Sequence, residues 1–134
     1  MKKETKTKKP TITKEEAELA KSRELCDKIA GVLSGKKALN VTGIKVDHLT
    51  VIADYFLIAS SKATTGVKAL ANAVDEALSK QDGIEPRRKE GLTEGRWVAM
   101  DYGTVIVHIF HEEARSFYQL ERLWTDGLNL INYD

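Results

Sequence analysis

From residue 13 onward, apolar side chains return every three or four positions, at Leu25, Cys26, Ile29, Val32 and Leu33, and this period predicts an amphipathic helix. "TKEE" at 13–16 opens it as a capping box, with the Thr13 hydroxyl accepting from the Glu16 amide and the Glu16 carboxylate reaching back. Gly35 stands where a left-handed C-terminal cap is wanted. "ALNVTGIKV" at 38–46 reads as a strand weakened in its middle by Gly43, and "DYFLIASS" at 54–61 as a stronger one. Val67, Leu70, Ala71, Val74, Ala77 and Leu78 then mark a second helix, ended by Asp82 and Gly83. "IEPRRKEG" at 84–91 is expected at a sheet edge, because Pro86 cannot donate to a central ladder.

The period changes to two across residues 96–110. In "DYGT", Gly103 supplies the positive φ of a tight hairpin, which sets Asp101 opposite Thr104. That register puts Val98, Met100, Val105, Val107 and Ile109 on one apolar face, directed into the core. The other face is mixed: Trp97, Ala99 and Asp101 lie beside His108, Ile106 and Thr104, with Phe110 at the end. Two coverings of it are open, the first helix packed on it as ordinary core, or a partner. After His111 a helical period returns, with Phe117, Leu120, Leu123 and Trp124 expected on the buried side. The last ten residues, "TDGLNLINYD", carry no strong pattern.

The order helix, strand, strand, helix, weak strand, hairpin, helix argues for a single small α/β (α+β) domain, a mixed sheet with helices packed on it. We expect the domain over 13–124, a lysine-rich tail over 1–12 and a C-terminal extension over 125–134. Residues 1–14 hold six lysines against Glu4, a local +5 that leaves the remainder near −4 for a chain total of +1. With so few apolar residues, the start cannot offset its ordering entropy and is expected to be disordered. It has neither the apolar core of a secretory signal nor the arginine-rich pattern of a transit peptide, and no apolar run approaches a bilayer span, so a cytoplasmic protein is expected. Cys26 allows no intrachain disulfide and falls on the apolar stripe, where a small core residue is the simplest reading.

The candidate chemistry is thin. His108 and His111 sit three apart across a change from strand to helix, which does not make their rings converge as metal ligands do. Glu112 and Glu113 suit the first turn of a helix. "ASSKATTG" at 59–66 has hydroxyls but no nucleophile elbow, and no strand carries the paired carboxylates that nucleotide transfer requires. The basic run Arg87, Arg88 and Lys89 leaves contact with RNA open, though a charge run of three is usually just solvated. The mixed hairpin face, with Trp97, Ile106 and His108 edged by Arg96, Asp101, Tyr102 and Thr104, has the make-up of an interface core with a polar rim.

"DYFLIAS", "VKALANAV" and "EGRWVAMDYGTVIVHIFHEEARSFYQLERLW" together closely resemble the ribosome silencing factor (RsfS, or Iojap-like) family over about residues 24–124. The resemblance implies a nucleotidyltransferase-like topology without catalysis or cofactor. It also implies binding to the large ribosomal subunit through its fourteenth-numbered ribosomal protein, a steric block to subunit joining when nutrients are short, and self-association. Matching positions are Trp97, Asp101, Tyr102, Gly103, His108, Phe110, Glu112, Glu113, Arg115, Tyr118, Leu120, Glu121, Leu123 and Trp124. Among them Trp97, Asp101, Tyr102 and His108, with neighbours Arg96, Thr104 and Ile106, are expected to touch the partner; the hairpin register makes that selection. The chain departs from the family at Gly43, Ile44 and Lys45, where an aspartate is usual, and at Thr65 and Gly66, where arginine and glutamine are usual. The basic tail lies outside the resemblance and is expected to add weak, salt-sensitive attraction to ribosomal RNA. The alternative is a nucleotide-binding protein or enzyme of the nucleotidyltransferase fold.

Overall fold

The computed structural model describes residues 11–134, so all but the last two residues of the expected tail lie outside the described residues. Helix α1 (Lys14–Gly35) begins at the capping box, with Glu16 N 3.0 Å from Thr13 Oγ1 and Thr13 N 2.8 Å from Glu16 Oε1. Strands β1 (Leu39–Lys45) and β2 (Tyr55–Ser61) follow, then helix α2 (Thr64–Asp82) and the short strand β3 (Arg88–Glu90). The hairpin strands are β4 (Trp97–Asp101) and β5 (Val105–His111), succeeded by helices α3 (Glu112–Tyr118) and α4 (Leu120–Trp124) and by strand β6 (Leu130–Asn132). One six-stranded mixed sheet results, in the order β3-β4-β5-β2-β1-β6, with β2 and β5 parallel and the other pairs antiparallel.

α1 and α2 pack on the same face of this sheet. Cys26, Ile29 and Leu33 from α1 and Val67, Val74 and Leu78 from α2 meet Val98, Met100, Val105, Val107 and Ile109, all fully buried. This is the apolar hairpin face expected from alternation. Burial pushes the Cys26 thiol up to about 11, outweighing the Tyr133 hydroxyl and the Arg23 guanidinium that pull it down, as befits a core residue. The mixed face therefore does not lie under α1.

Two local expectations change. Gly35 is the last helical residue, and the left-handed position falls instead on Lys37, φ 65°. The hairpin pairs Asp101 with Ile106 and Trp97 with Phe110, two residues out from the expected register. Asp101 Oδ1 accepts from Gly103 N at 2.7 Å and Tyr102 N donates to Val105 O at 2.9 Å, which widens the connection. A slip of two residues keeps every side chain on its face, so the apolar assignments survive it. Gly103 has φ 89°, and a Cβ there would also press on the Arg87 guanidinium at 3.3 Å.

The segment 125–134, expected as an extension, supplies β6, paired with β1 through Thr42 and Asn132, Gly43 and Ile131, and Ile44 and Leu130. Gly43 is needed for this: a Cβ there would stand 3.0 Å from the Tyr133 ring and 3.4 Å from Ile131. The Asn129 side chain closes the approach, donating to Lys45 O and Trp124 O at 2.9 and 3.0 Å.

Candidate partner-binding face

The second face of the sheet is floored by Ile44, Phe56, Ile58 and Phe110, with Ala114 and Leu120 from α3 and α4 laid over part of it. These two helices are too short to cover the hairpin end. Trp97 and Ile106 remain half-buried there, Arg96 and Thr104 are exposed, and Asp101 is intermediate. The Trp97 ring stacks on Phe110 with centroids 4.8 Å apart and leans on Tyr118 at 5.0 Å. Tyr118 in turn meets Phe117 edge-on at 5.1 Å, and these two are 50% and 79% exposed. Offset and edge-to-face contacts of this kind hold aromatic rings in fixed orientations.

Two of the expected contact residues lie beneath the surface. His108 is buried, with its ring edge-on to Phe56 at 5.2 Å, and its Nδ1 accepts from Trp97 Nε1 at 3.1 Å. That bond puts the ring proton on Nε2, which has no partner among the described residues. Burial pulls the His108 pKa down to about 4, so the ring is neutral at physiological pH. Its part in the face is to orient Trp97. Tyr102 drops into the core shared with α1 and α2, and desolvation pushes its hydroxyl up. It continues the alternation of Val98 and Met100, which places it on the core face.

His111 does not join His108: its Nδ1 accepts from Glu113 N at 3.2 Å and caps α3. Among the described residues, no group of three or more His, Cys, Asp or Glu is placed to hold a metal ion. No helix among the described residues is long and apolar enough to cross a membrane. A cleft of about 570 Å³ opens elsewhere, between the end of α1 and the first half of α2, lined by Lys36, Lys37, Ser61, Gly66 and Asn72, with Glu76 its one carboxylate.

Phe117 and Leu123 correct the expected helix after His111, since they are 79% and 75% exposed. Gln119 takes the left-handed conformation, φ 49° and ψ 53°, and breaks the helix in two. Spacing of i, i+3, i+6 and i+7 marks one face only while the helix is continuous. The buried residues are instead Ala114, Leu120 and, unforeseen, Arg115.

A small α/β domain with one face sealed and the other displaying clustered aromatic side chains has the build of a binding module. Residues 19–134 match the family model described as "Ribosomal silencing factor during starvation". The ribosomal silencing factor of Halalkalibacterium halodurans is 37% identical over 106 residues, covering 79% of this chain and 90% of that one. That of Bacillus subtilis is 36% identical over 98 residues, covering 73% and 82%. A mouse protein named "Mitochondrial assembly of ribosomal large subunit protein 1" is 28% identical over 101 residues, covering 74% of this chain and 44% of that one. Among solved structures, a protein from Chromobacterium violaceum superposes with TM-score 0.70 at 28% identity, covering 79% and 85%. One from Bacillus halodurans superposes with TM-score 0.66 at 30% identity, covering 84% and 97%. The chain belongs to the ribosomal silencing factor family.

Proposed function

We propose that this protein binds the large ribosomal subunit through its fourteenth-numbered ribosomal protein and, seated on the joining face, blocks association with the small subunit to repress translation under nutrient limitation. The observation that carries this reading is the partly exposed Trp97, held by Phe110, Tyr118 and His108 on a face that the domain's own helices leave open. Family membership supplies the ribosome. A relative named for assembly of the mitochondrial large subunit favours that subunit. The contact residues are Trp97, Ile106, Arg96, Asp101 and Thr104, extended by Tyr118 and Phe117, while His108 and Tyr102 act from beneath. No chemistry is required of any of them, because occupying a joining surface is enough to prevent joining. Self-association through the same apolar face would compete with ribosome binding. The lysine-rich start adds weak attraction to ribosomal RNA.

The test is a sucrose gradient of protein with separated and then mixed subunits. Wild type is expected to travel with the large subunit and lower the yield of joined ribosomes, and Trp97→Ala to do neither. Protein left at the top of the gradient with joining intact would defeat the proposal. The cleft beside Lys36 and Lys37 favours a second reading, nucleotide binding. That reading predicts a higher melting midpoint with nucleoside triphosphate and magnesium.

A further inference from the structure

We propose that Arg115 and Glu121 are the positioning pair of the partner-binding face, fixing the angle between α3 and α4 and through it the place of Tyr118 against Trp97. The inference rests on the reading of that face as the partner surface.

Helices of seven and five residues do not hold themselves in water. Burial does little to hold these two, since their large apolar side chains Phe117, Tyr118 and Leu123 point outward. Ala114 and Leu120 are small or singly placed anchors, and Trp124 is only partly buried, edge-on to Phe56 at 5.1 Å. The Arg115 side chain, 9% exposed, supplies what burial does not. From α3 its Nη1 donates to Leu39 O at 3.3 Å and to Ser60 Oγ at 3.2 Å, and its Nη2 to Thr42 Oγ1 at 3.4 Å, on β1 and β2. The same guanidinium reaches across the break at Gln119 to α4, with Nε 3.2 Å from Glu121 Oε1 and Nη2 2.7 Å from Glu121 Oε2. All five guanidinium N–H groups are thereby engaged. A planar fork held at five points sets orientation as well as distance, which a lysine cannot do. Buried ion pairs add little net stability over apolar residues, so geometry is the better account of this one. Tyr118 lies between the two residues in sequence, one position before the break, and carries the contact to Trp97.

The experiment compares large-subunit affinity, melting and the Trp97 indole N–H resonance in Arg115→Lys, Arg115→Met, Glu121→Gln and Trp97→Ala. Arg115→Lys and Arg115→Met are expected to melt cooperatively, bind at least tenfold more weakly, and shift or broaden the indole signal that disappears in Trp97→Ala. Glu121→Gln, which keeps one acceptor oxygen, should fall between. Its loss should be non-additive with that of Tyr118→Ala, because both act on the same contact. Wild-type affinity in Arg115→Lys beside weak binding in Trp97→Ala overturns the positioning role and leaves the function standing. Wild-type affinity in Trp97→Ala overturns the reading underneath. Should the Arg115 variants unfold, Glu121→Gln decides: additive losses with Tyr118→Ala overturn the inference.

Discussion

On one face of the sheet α1 and α2, 22 and 19 residues long, seal a core in which Ile29, Leu33, Leu57, Val74 and Ile109 have no exposed surface. On the other, α3 and α4 cover Phe56, Ile58 and Phe110 but leave Trp97 and Ile106 partly bare and turn Phe117 and Leu123 outward. The same kinds of side chain thus serve two ends. Where long helices exclude water from both sides of a contact, apolar area becomes folding stability. Where short ones leave it open, the area is held ready for another molecule, and rigid aromatic stacking keeps the ordering cost of binding low.

The contrast is broken most severely from the sealed side. Leu57→Ala is expected to lower unfolding free energy by about 3 kcal/mol, read from a urea titration, while the folded fraction keeps its ribosome affinity. An equal loss of affinity would show that the two faces are not separable. Acid is expected to act through the other face. Because burial holds His108 near 4 in the folded protein against 6.5 in an unfolded chain, the unfolded state takes up the proton first. Its contribution is fully present above pH 6.5 and is lost as the pH falls from 6.5 through 4, up to about 3 kcal/mol. His108→Gln should flatten that part of the stability profile; an unchanged slope would mean that His108 is not the titrating group.

Trp97→Ala is expected to weaken binding by about 2 kcal/mol, roughly 30-fold, with cooperative unfolding retained. Unfolding of this variant would put Trp97 among the core residues instead. Phe117→Ser sharpens the comparison, since it should leave stability within about 0.5 kcal/mol, its side chain being already in water, and yet reduce affinity. The smallest effect is expected away from both faces. Lys80→Ala breaks an i,i+4 pair with Glu76 that is 72% and 66% exposed, for about 0.3 kcal/mol and no change in binding.

How much of the candidate site was legible follows from what each residue depends on. Trp97 and Ile106 were placed on the open face because strand parity is a local property, and that placement survived even a two-residue error in register; Arg96, of the opposite parity, is exposed because it precedes the strand. Tyr102 was misplaced because its parity was not followed into the turn: alternation sends it to the core face with Val98 and Met100, and there it lies. Arg115 and Glu121 left no cue, being six residues apart, outside the i,i+3 and i,i+4 spacings at which helical neighbours meet. Only the break at Gln119 brings them together.

The sequence by itself determined the elements whose signals are short in range: the capped first helix, the second helix closed at Gly83, the edge strand after Pro86 and the two faces of the hairpin. The tertiary structure decided what depends on distant partners. β6 is a strand because β1 offers it a ladder and Gly43 makes room for Tyr133. Arg115 is buried because Leu39, Ser60 and Thr42 turn acceptors toward it. Trp97 stays half-open because the helices that reach its face are too short to close it, and how far a helix reaches over a sheet is fixed by packing, which no local period records.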